Sequence, residues 1–146
     1  MRLKLVSVGK ERSDPTAPLV AEYAARIRKF VPFEETVLKL DADARVAERM
    51  RRESEKSDLL VALDERGGQV TSRELAAIVG EWMNRGMSEV TLVLGGPDGL
   101  PQAIKGAAGL TLGLSRMTLP HRLARLVLVE QLYRALAILR NVPYQK

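Results

Sequence analysis

Short apolar runs alternate with amphipathic stretches along the whole chain, and this alternation limits the fold more than any other feature. Leu3-Lys4-Leu5-Val6-Ser7-Val8 reads as a strand closed by Gly9. Residues 15–30 read as a helix, because Leu19, Val20, Tyr23, Ile27 and Phe30 recur at helical spacing. Residues 33–40 read as a second strand, and 41–57 as a charged helix with Val46 and Met50 as its narrow apolar stripe. Residues 58–64 read as a third strand, followed by a turn at Arg66-Gly67-Gly68. Thr71-Ser72-Arg73-Glu74 has the pattern of a capping box, in which hydroxyl and carboxylate each take up a free backbone donor; it opens a helix to about Asn84. Residues 89–94 form a fourth strand that stops at Gly95-Gly96-Pro97-Asp98-Gly99. A short helix near 101–108, a fifth strand at 110–114 and a long helix at 120–140 complete the pattern. Strands separated by helices predict an α/β fold with a largely parallel sheet. At 146 residues there is room for one such domain, and no repeat, linker or low-complexity segment divides it.

Composition removes several kinds of chemistry. The chain has no cysteine, which excludes a disulfide scaffold, a cysteine zinc site, an iron–sulfur cluster and a thiol nucleophile. A single histidine, His121, excludes a histidine-rich metal site, and no metal is expected. No run of 18 apolar residues occurs, and the N-terminus lacks a signal-peptide core; a soluble cytoplasmic protein with no membrane partner is expected. The net charge is +5. Residues 105–146 carry seven Lys or Arg against one acid, Glu130, whereas residues 41–58 carry five basic against six acidic. The C-terminal excess fits either an anionic partner such as nucleic acid or an ordinary soluble surface. Aromatic residues make up only 4%, which argues against an RNA-stacking sheet.

In open α/β sheets ligands sit beyond the carboxyl ends of the strands, which directs attention to the segments after Leu63, Leu94 and Leu114. LVLGGPDGL lacks the spacing of a dinucleotide fingerprint and the Gly-Lys-Ser/Thr of a Walker loop, and Asp98 would repel a triphosphate. Free backbone donors and acceptors without a cation suit a neutral group such as adenosine; the alternative is a plain turn made by Pro97 and Gly99. In Leu114-Ser115-Arg116-Met117-Thr118-Leu119-Pro120-His121, an apolar loop broken by Ser115 and Thr118 can wrap a ring and bond its edge. Pro120 suits a first helical turn. His121 is either a hydrogen-bonded structural residue or a catalyst. In the last helix Leu126, Leu128, Val129, Leu132, Leu136 and Leu139 point nearly all round the axis. Such a helix is covered on more than one side, by the sheet and either a second subunit or loops of its own chain. Glu130 and Arg134 stand four apart and can pair. The tail after Asn141 carries Tyr144, which can stack on a nucleotide or fray.

LVLGGPDGL, LSRMTLPHRLARLVLVEQLYRA and the terminal PYQK, with the opening RLKLVSVGK and the central VALDERG, resemble the SPOUT-class ribosomal large subunit methyltransferase H family. The resemblance runs from end to end in the right order. It implies a SPOUT-type domain over residues 1–146, with a mostly parallel sheet flanked by helices and a trefoil knot in the C-terminal half. Such knots are exceptions to ordinary topology rules. It further implies a homodimer that uses S-adenosyl-L-methionine to methylate N3 of a pseudouridine in a 23S rRNA stem-loop. The family's cofactor positions correspond to Leu63, Gly95, Leu114, Ser115, Arg116, Met117, Thr118 and Leu119. Arg125, Glu130, Tyr133, Arg134 and Tyr144 match family positions in the last helix and tail. The chain departs from the family at Gln145, where a histidine is usual, so no tail histidine can act in catalysis.

Loss of the N3 proton makes a uracil-type ring nucleophilic, and a nearby cation favours that anion. Arg134 is the first choice for the cation, with Arg125 and Arg116 as alternatives or phosphate contacts. Tyr144 can stack on the base. His121, Glu130 and water are each open as the general base. A different class, a non-catalytic α/β nucleotide- or RNA-binding module, would share the glycine loop and the basic tail.

Overall fold

Parallel strands need cover on both faces, and their sequences show it: in β1 (Arg2–Val8) and β4 (Glu89–Leu94) nearly every residue is buried. The computed structural model describes residues 1–9 and 13–144. With β2 (Phe33–Leu38), β3 (Leu59–Gln69) and β5 (Leu110–Gly113), these strands form one sheet in the order β2-β1-β4-β3-β5. All neighbours are parallel, as the alternating pattern predicts. The helices are α1 (Ala17–Ile27), α2 (Asp43–Ser54), α3 (Ser72–Asn84), α4 (Gln102–Ala107) and α5 (His121–Leu139). Several ends lie a few residues inside the expected spans.

Side-chain alternation along the strands divides the core in two. Leu3, Leu5, Val61, Leu63, Val90 and Leu92 belong to a cluster with the buried faces of α1, α3 and α5. Val6, Val8, Ala62 and Val93 belong to a smaller one with Val46 and Met50 of α2 and Ile104 of α4. The capping box forms as its sequence predicts: Glu74 N–H donates to Thr71 Oγ1 at 3.1 Å, and Thr71 N–H donates to Glu74 Oε1 at 3.0 Å.

The third strand differs from its sequence reading. It does not end at Asp64 in a turn but runs on to Gln69. Leu63 and Gly68 both pair with Leu112, so residues 64–67 are pushed out as a bulge before pairing resumes. Gly67 makes this possible. A Cβ there would lie 2.7 Å from the Leu112 carbonyl carbon and 2.9 Å from its nitrogen.

α5 packs on the sheet with α1 and α3 beside it, and Val129, Leu132, Ala135 and Leu136 are fully buried. Its own chain therefore accounts for most of the apolar girth. An outer strip is left over, with Leu123 45% exposed and Leu126 and Val127 half-buried. No described helix is long and apolar enough to cross a membrane.

Leu132→Ala should lower the unfolding free energy by about 2–5 kcal/mol, the range for truncating a fully buried leucine. Thr71→Ala, which removes only the cap, should lower it by about 1 kcal/mol. Urea titrations followed by circular dichroism would read both, and equal losses would contradict the central placement of α5.

Candidate cofactor cavity and the C-terminal aromatic cluster

The carboxyl ends of β3, β4 and β5 open on one cavity of about 740 Å³. Its walls come from residues 63–66 of β3, from the loop 94–100 and from the segment around 114–121, with Lys105 and Ala124. Leu63, Gly95, Leu114, Ser115, Met117, Thr118, Leu119 and His121 are thus brought together. Arg116 is exposed and is not part of the wall.

The glycine loop folds back on itself. Gly99 N–H donates to the Gly96 carbonyl at 3.0 Å, across a tight turn with Pro97 in its second position. Gly99 has φ +80°, which glycine adopts without strain. A Cβ on Gly95 would lie 2.5 Å from Leu100 N, 2.6 Å from the Gly99 oxygen and closer still to the Gly99 carbonyl carbon. Gly95 is therefore needed first by the loop's own backbone. The plain turn and the ligand wall are one structure.

The bulge in β3 supplies charge. Asp64 pairs with Lys105 at 3.3 Å and accepts from Arg66 N–H at 3.3 Å. Burial opposes its ionisation, but the Arg66 hydrogen bond and the Lys105 ammonium outweigh burial and hold its carboxyl below the usual range. The Thr118 hydroxyl donates to Glu65 Oε2 at 3.0 Å, and Met117 N–H donates to Ser115 Oγ at 2.9 Å.

At the head of α5 the structure favours a packing role for His121. A Cβ on Gly9 would lie 2.7 Å from its Nε2, and Gly9 itself has φ +114°. Arg125 is engaged nearby. It forks onto both Glu35 carboxylate oxygens at 2.8 Å and reaches Asp14 Oδ2 at 3.3 Å, with its side chain only 15% exposed. Burial raises the Asp14 pKa, but hydrogen bonds from Thr16 and the charges of Arg125 and His121 bring it below its ordinary value.

A second cluster forms further along α5. Arg134 Nη2 donates to Glu130 Oε2 at 2.7 Å, and the Tyr144 hydroxyl donates to the same oxygen at 2.9 Å. Tyr144 also bonds the Tyr23 hydroxyl at 3.0 Å. Burial and these two bonds raise the Tyr144 pKa and keep the phenol protonated. The Tyr133 and Tyr144 rings meet edge to face at 4.7 Å, and the Arg134 guanidinium lies 4.9 Å from the Tyr144 ring centre. Tyr23 and Arg26 of α1 complete the cluster, the guanidinium 5.2 Å from Tyr23 and 5.6 Å from Tyr133. Sequence reasoning missed these two. Their shared face on α1 is readable, but nothing in the chain states that this face meets the tail. Gln145 lies outside the described residues.

Arg134 is 13 positions along α5 from His121, which at about 1.5 Å per residue is roughly 20 Å. Within one chain the aromatic cluster and the cavity are separate. Among the described residues no group of three or more His, Asp or Glu is placed to hold a metal ion.

Residues 1–145 match the family described as "Predicted SPOUT methyltransferase". The chain belongs to the SPOUT methyltransferase family. It is 48% identical to Ribosomal RNA large subunit methyltransferase H of Anaeromyxobacter sp. (strain Fw109-5), over 100% of both chains. It is 40% identical to the protein of that name from Sorangium cellulosum (strain So ce56), over 99% of each. Among solved structures it resembles a probable methyltransferase from Bordetella pertussis Tohama I, with TM-score 0.62 and 17% identity over 92% of this chain and 93% of that one. That likeness shows the fold. Membership sets aside the non-catalytic binding module: the chain is a methyltransferase.

SPOUT methyltransferases take their methyl group from S-adenosylmethionine. The cavity fits that molecule. Its volume is ordinary for a small-molecule site, and Leu63, Leu94, Leu114 and Leu119 give apolar walls for a purine. Asp64 and Asp98 offer negative charge for a sulfonium and an ammonium, while Lys105 and Arg66 can receive a carboxylate.

Gly95→Ala should be enough to collapse the loop and weaken S-adenosylmethionine binding at least ~10-fold, since the added methyl meets backbone. Gly106→Ala in α4 meets nothing within 4 Å and should bind like the parent chain. Calorimetry on both variants would check this, and an unaffected Gly95→Ala would remove the loop from the site.

Proposed function

We propose that this methyltransferase modifies N3 of a pseudouridine in a 23S rRNA stem-loop, in the cytoplasm, as a homodimer whose active sites are shared between subunits. The two relatives named ribosomal RNA large subunit methyltransferase H support the rRNA substrate. We read residues 1–146 as one domain, knotted in the C-terminal half, on the strength of the family.

The observation that carries the shared site is the layout of α5. The cavity lies at its start, Glu130 and Arg134 of the aromatic cluster lie about one-half and three-quarters along, and the outward strip of Leu123, Leu126 and Val127 lies between. Leu19 of α1, 48% exposed, is a further outward leucine. Two α5 helices packed antiparallel about Val127 would cover these strips. The same operation sets Arg134 of one subunit opposite position 120 of the other, at the mouth of its cavity. An isologous two-fold then completes two sites at once.

S-adenosylmethionine supplies a methyl group made electrophilic by its sulfonium charge. Residues 63–66, 94–100, 114, 115 and 117–121 would hold it. Arg134 would stabilise the anion that forms when N3 of the ring gives up its proton to solvent; the N3–methyl bond then forms as the sulfur–methyl bond breaks and the sulfur leaves as a neutral thioether. Its Nη2 is held by Glu130 and its guanidinium lies against the Tyr144 ring, which fixes the orientation of the charge. Glu130 already accepts from Arg134, Tyr144 and Gln131, which makes it a positioning group. Tyr144, fixed by Glu130 and Tyr23, offers a ring edge or face to the unstacked base.

Mass mapping of 23S rRNA from cells with and without the gene should show one methylated pseudouridine lost, and an unchanged map would defeat the substrate assignment. Arg134→Ala should lower turnover by roughly 100-fold while S-adenosylmethionine affinity stays within about twofold. Arg134→Lys should not restore turnover, because lysine lacks the planar fork. Leu123→Glu should give monomers in light scattering that still bind cofactor but do not methylate. Mixing Arg134→Ala with Gly95→Ala chains should recover about a quarter of parental activity, since half the dimers would carry one complete site. No recovery on mixing would mean that each site is built within one chain.

A further inference from the structure

The geometry points to Glu65 as a positioning residue that clasps the β5–α5 loop over the cavity by accepting the Thr118 hydroxyl; its purpose rests on the reading of that cavity as the cofactor site. The two partners belong to different segments of the wall, which follow neighbouring strands. Glu65 is in the bulge of β3, and Thr118 is in the middle of the loop that follows β5. Their hydrogen bond, 3.0 Å from Thr118 Oγ1 to Glu65 Oε2, joins the two segments.

The base of the clasp is fixed. Pairing of both Leu63 and Gly68 with Leu112 pins the bulge at its two ends. Gly67 lies against the Leu112 backbone, and Asp64 is tied to Lys105 of α4 and to Arg66 N–H. Glu65 therefore projects from a braced platform.

The loop is the opposite. Leu114 and Leu119 pack on the core at its ends, but Arg116, Met117 and Thr118 between them are exposed, Met117 at 79%. The bond from Met117 N–H to Ser115 Oγ shapes the loop without tying it to another element. The Thr118–Glu65 hydrogen bond ties the exposed middle of the loop to another element. A loop held in its bound shape before the ligand arrives loses less conformational freedom on binding and opens less often for release. The need is for an acceptor, and the amide oxygen of glutamine meets it as well as a carboxylate oxygen does.

Two measurements on the full-length protein separate this from other roles. In stopped-flow and equilibrium binding of S-adenosylmethionine, Glu65→Ala and Thr118→Val should each weaken affinity roughly 5–10-fold, mainly through faster dissociation. Glu65→Gln should recover most of that loss, and the double variant should be no weaker than either single. In the ligand-free protein, amide exchange at positions 117–119 should quicken in Glu65→Ala and return towards the parental rate in Glu65→Gln. Unchanged affinity and exchange in both single variants would overturn the clasp. So would additive losses, or a Glu65→Gln as weak as Glu65→Ala, which would assign the effect to charge. If the parent chain bound no S-adenosylmethionine, the cofactor reading would fall, and the exchange data would still decide the clasp.

Discussion

The seating of α5 on the sheet, beside α1 and α3, is the contact on which both functional regions depend. This one helix begins in the wall of the cavity at His121 and carries Glu130, Tyr133 and Arg134 further along. Burial of Leu128, Leu132 and Leu136 sets its height on the sheet. Polar contacts set its rotation. Arg125 is forked onto Glu35 of β2 and linked to Asp14 ahead of α1, so a turn of the helix would strip a half-buried guanidinium of both partners. Ion pairs of this kind add little net stability, but breaking one costs several kcal/mol, which makes them good at choosing among similar packings.

Missing side chains matter as much as those present. Gly67 lets β3 return to Leu112 after its bulge, Gly95 lets the β4 loop close on Gly99 and Leu100, and Gly9 leaves room for the imidazole of His121. All three stand at the carboxyl end of a strand or just beyond it. At each a Cβ would run into neighbouring atoms, and Gly95 among them lines the cavity with its backbone. Leucines form the apolar part of the wall and a few charges complete it.

How much of this was readable beforehand follows from the range of each signal. Period and caps are local, so the five strands, the helices and the Thr71–Glu74 box could be read from a few neighbouring residues. Strand ends predicted the cavity because parallel α/β sheets share one geometry. The bulge could not be read, since charged Asp64, Glu65 and Arg66 followed by two glycines are the usual marks of a turn. Only the pairing of Gly68 with Leu112, far along the chain, shows that the strand resumes. The same holds for Arg125, whose carboxylate partners sit in β2 and before α1. It holds also for Tyr23 and Arg26, which join the tail cluster only because α1 and α5 are neighbours.

The charge pattern now takes on a spatial meaning. The net +5 is not spread evenly: the cavity holds Asp64, Glu65 and Asp98 against Lys105 and Arg66, while residues 106–146 carry six Lys or Arg against one acid. A small cationic sulfonium ligand and a polyanionic RNA make opposite electrostatic demands, and one surface cannot satisfy both. Arg134 lies roughly 20 Å along α5 from the cavity wall at His121, so this arginine and the acids at the strand ends stand apart in a single chain. They must nevertheless meet for a methyl group to pass. In the dimer we propose, an antiparallel pairing of α5 helices would bring them together across the subunit boundary, so that each chain would bind its cofactor on its own terms while the chemistry waits for the partner.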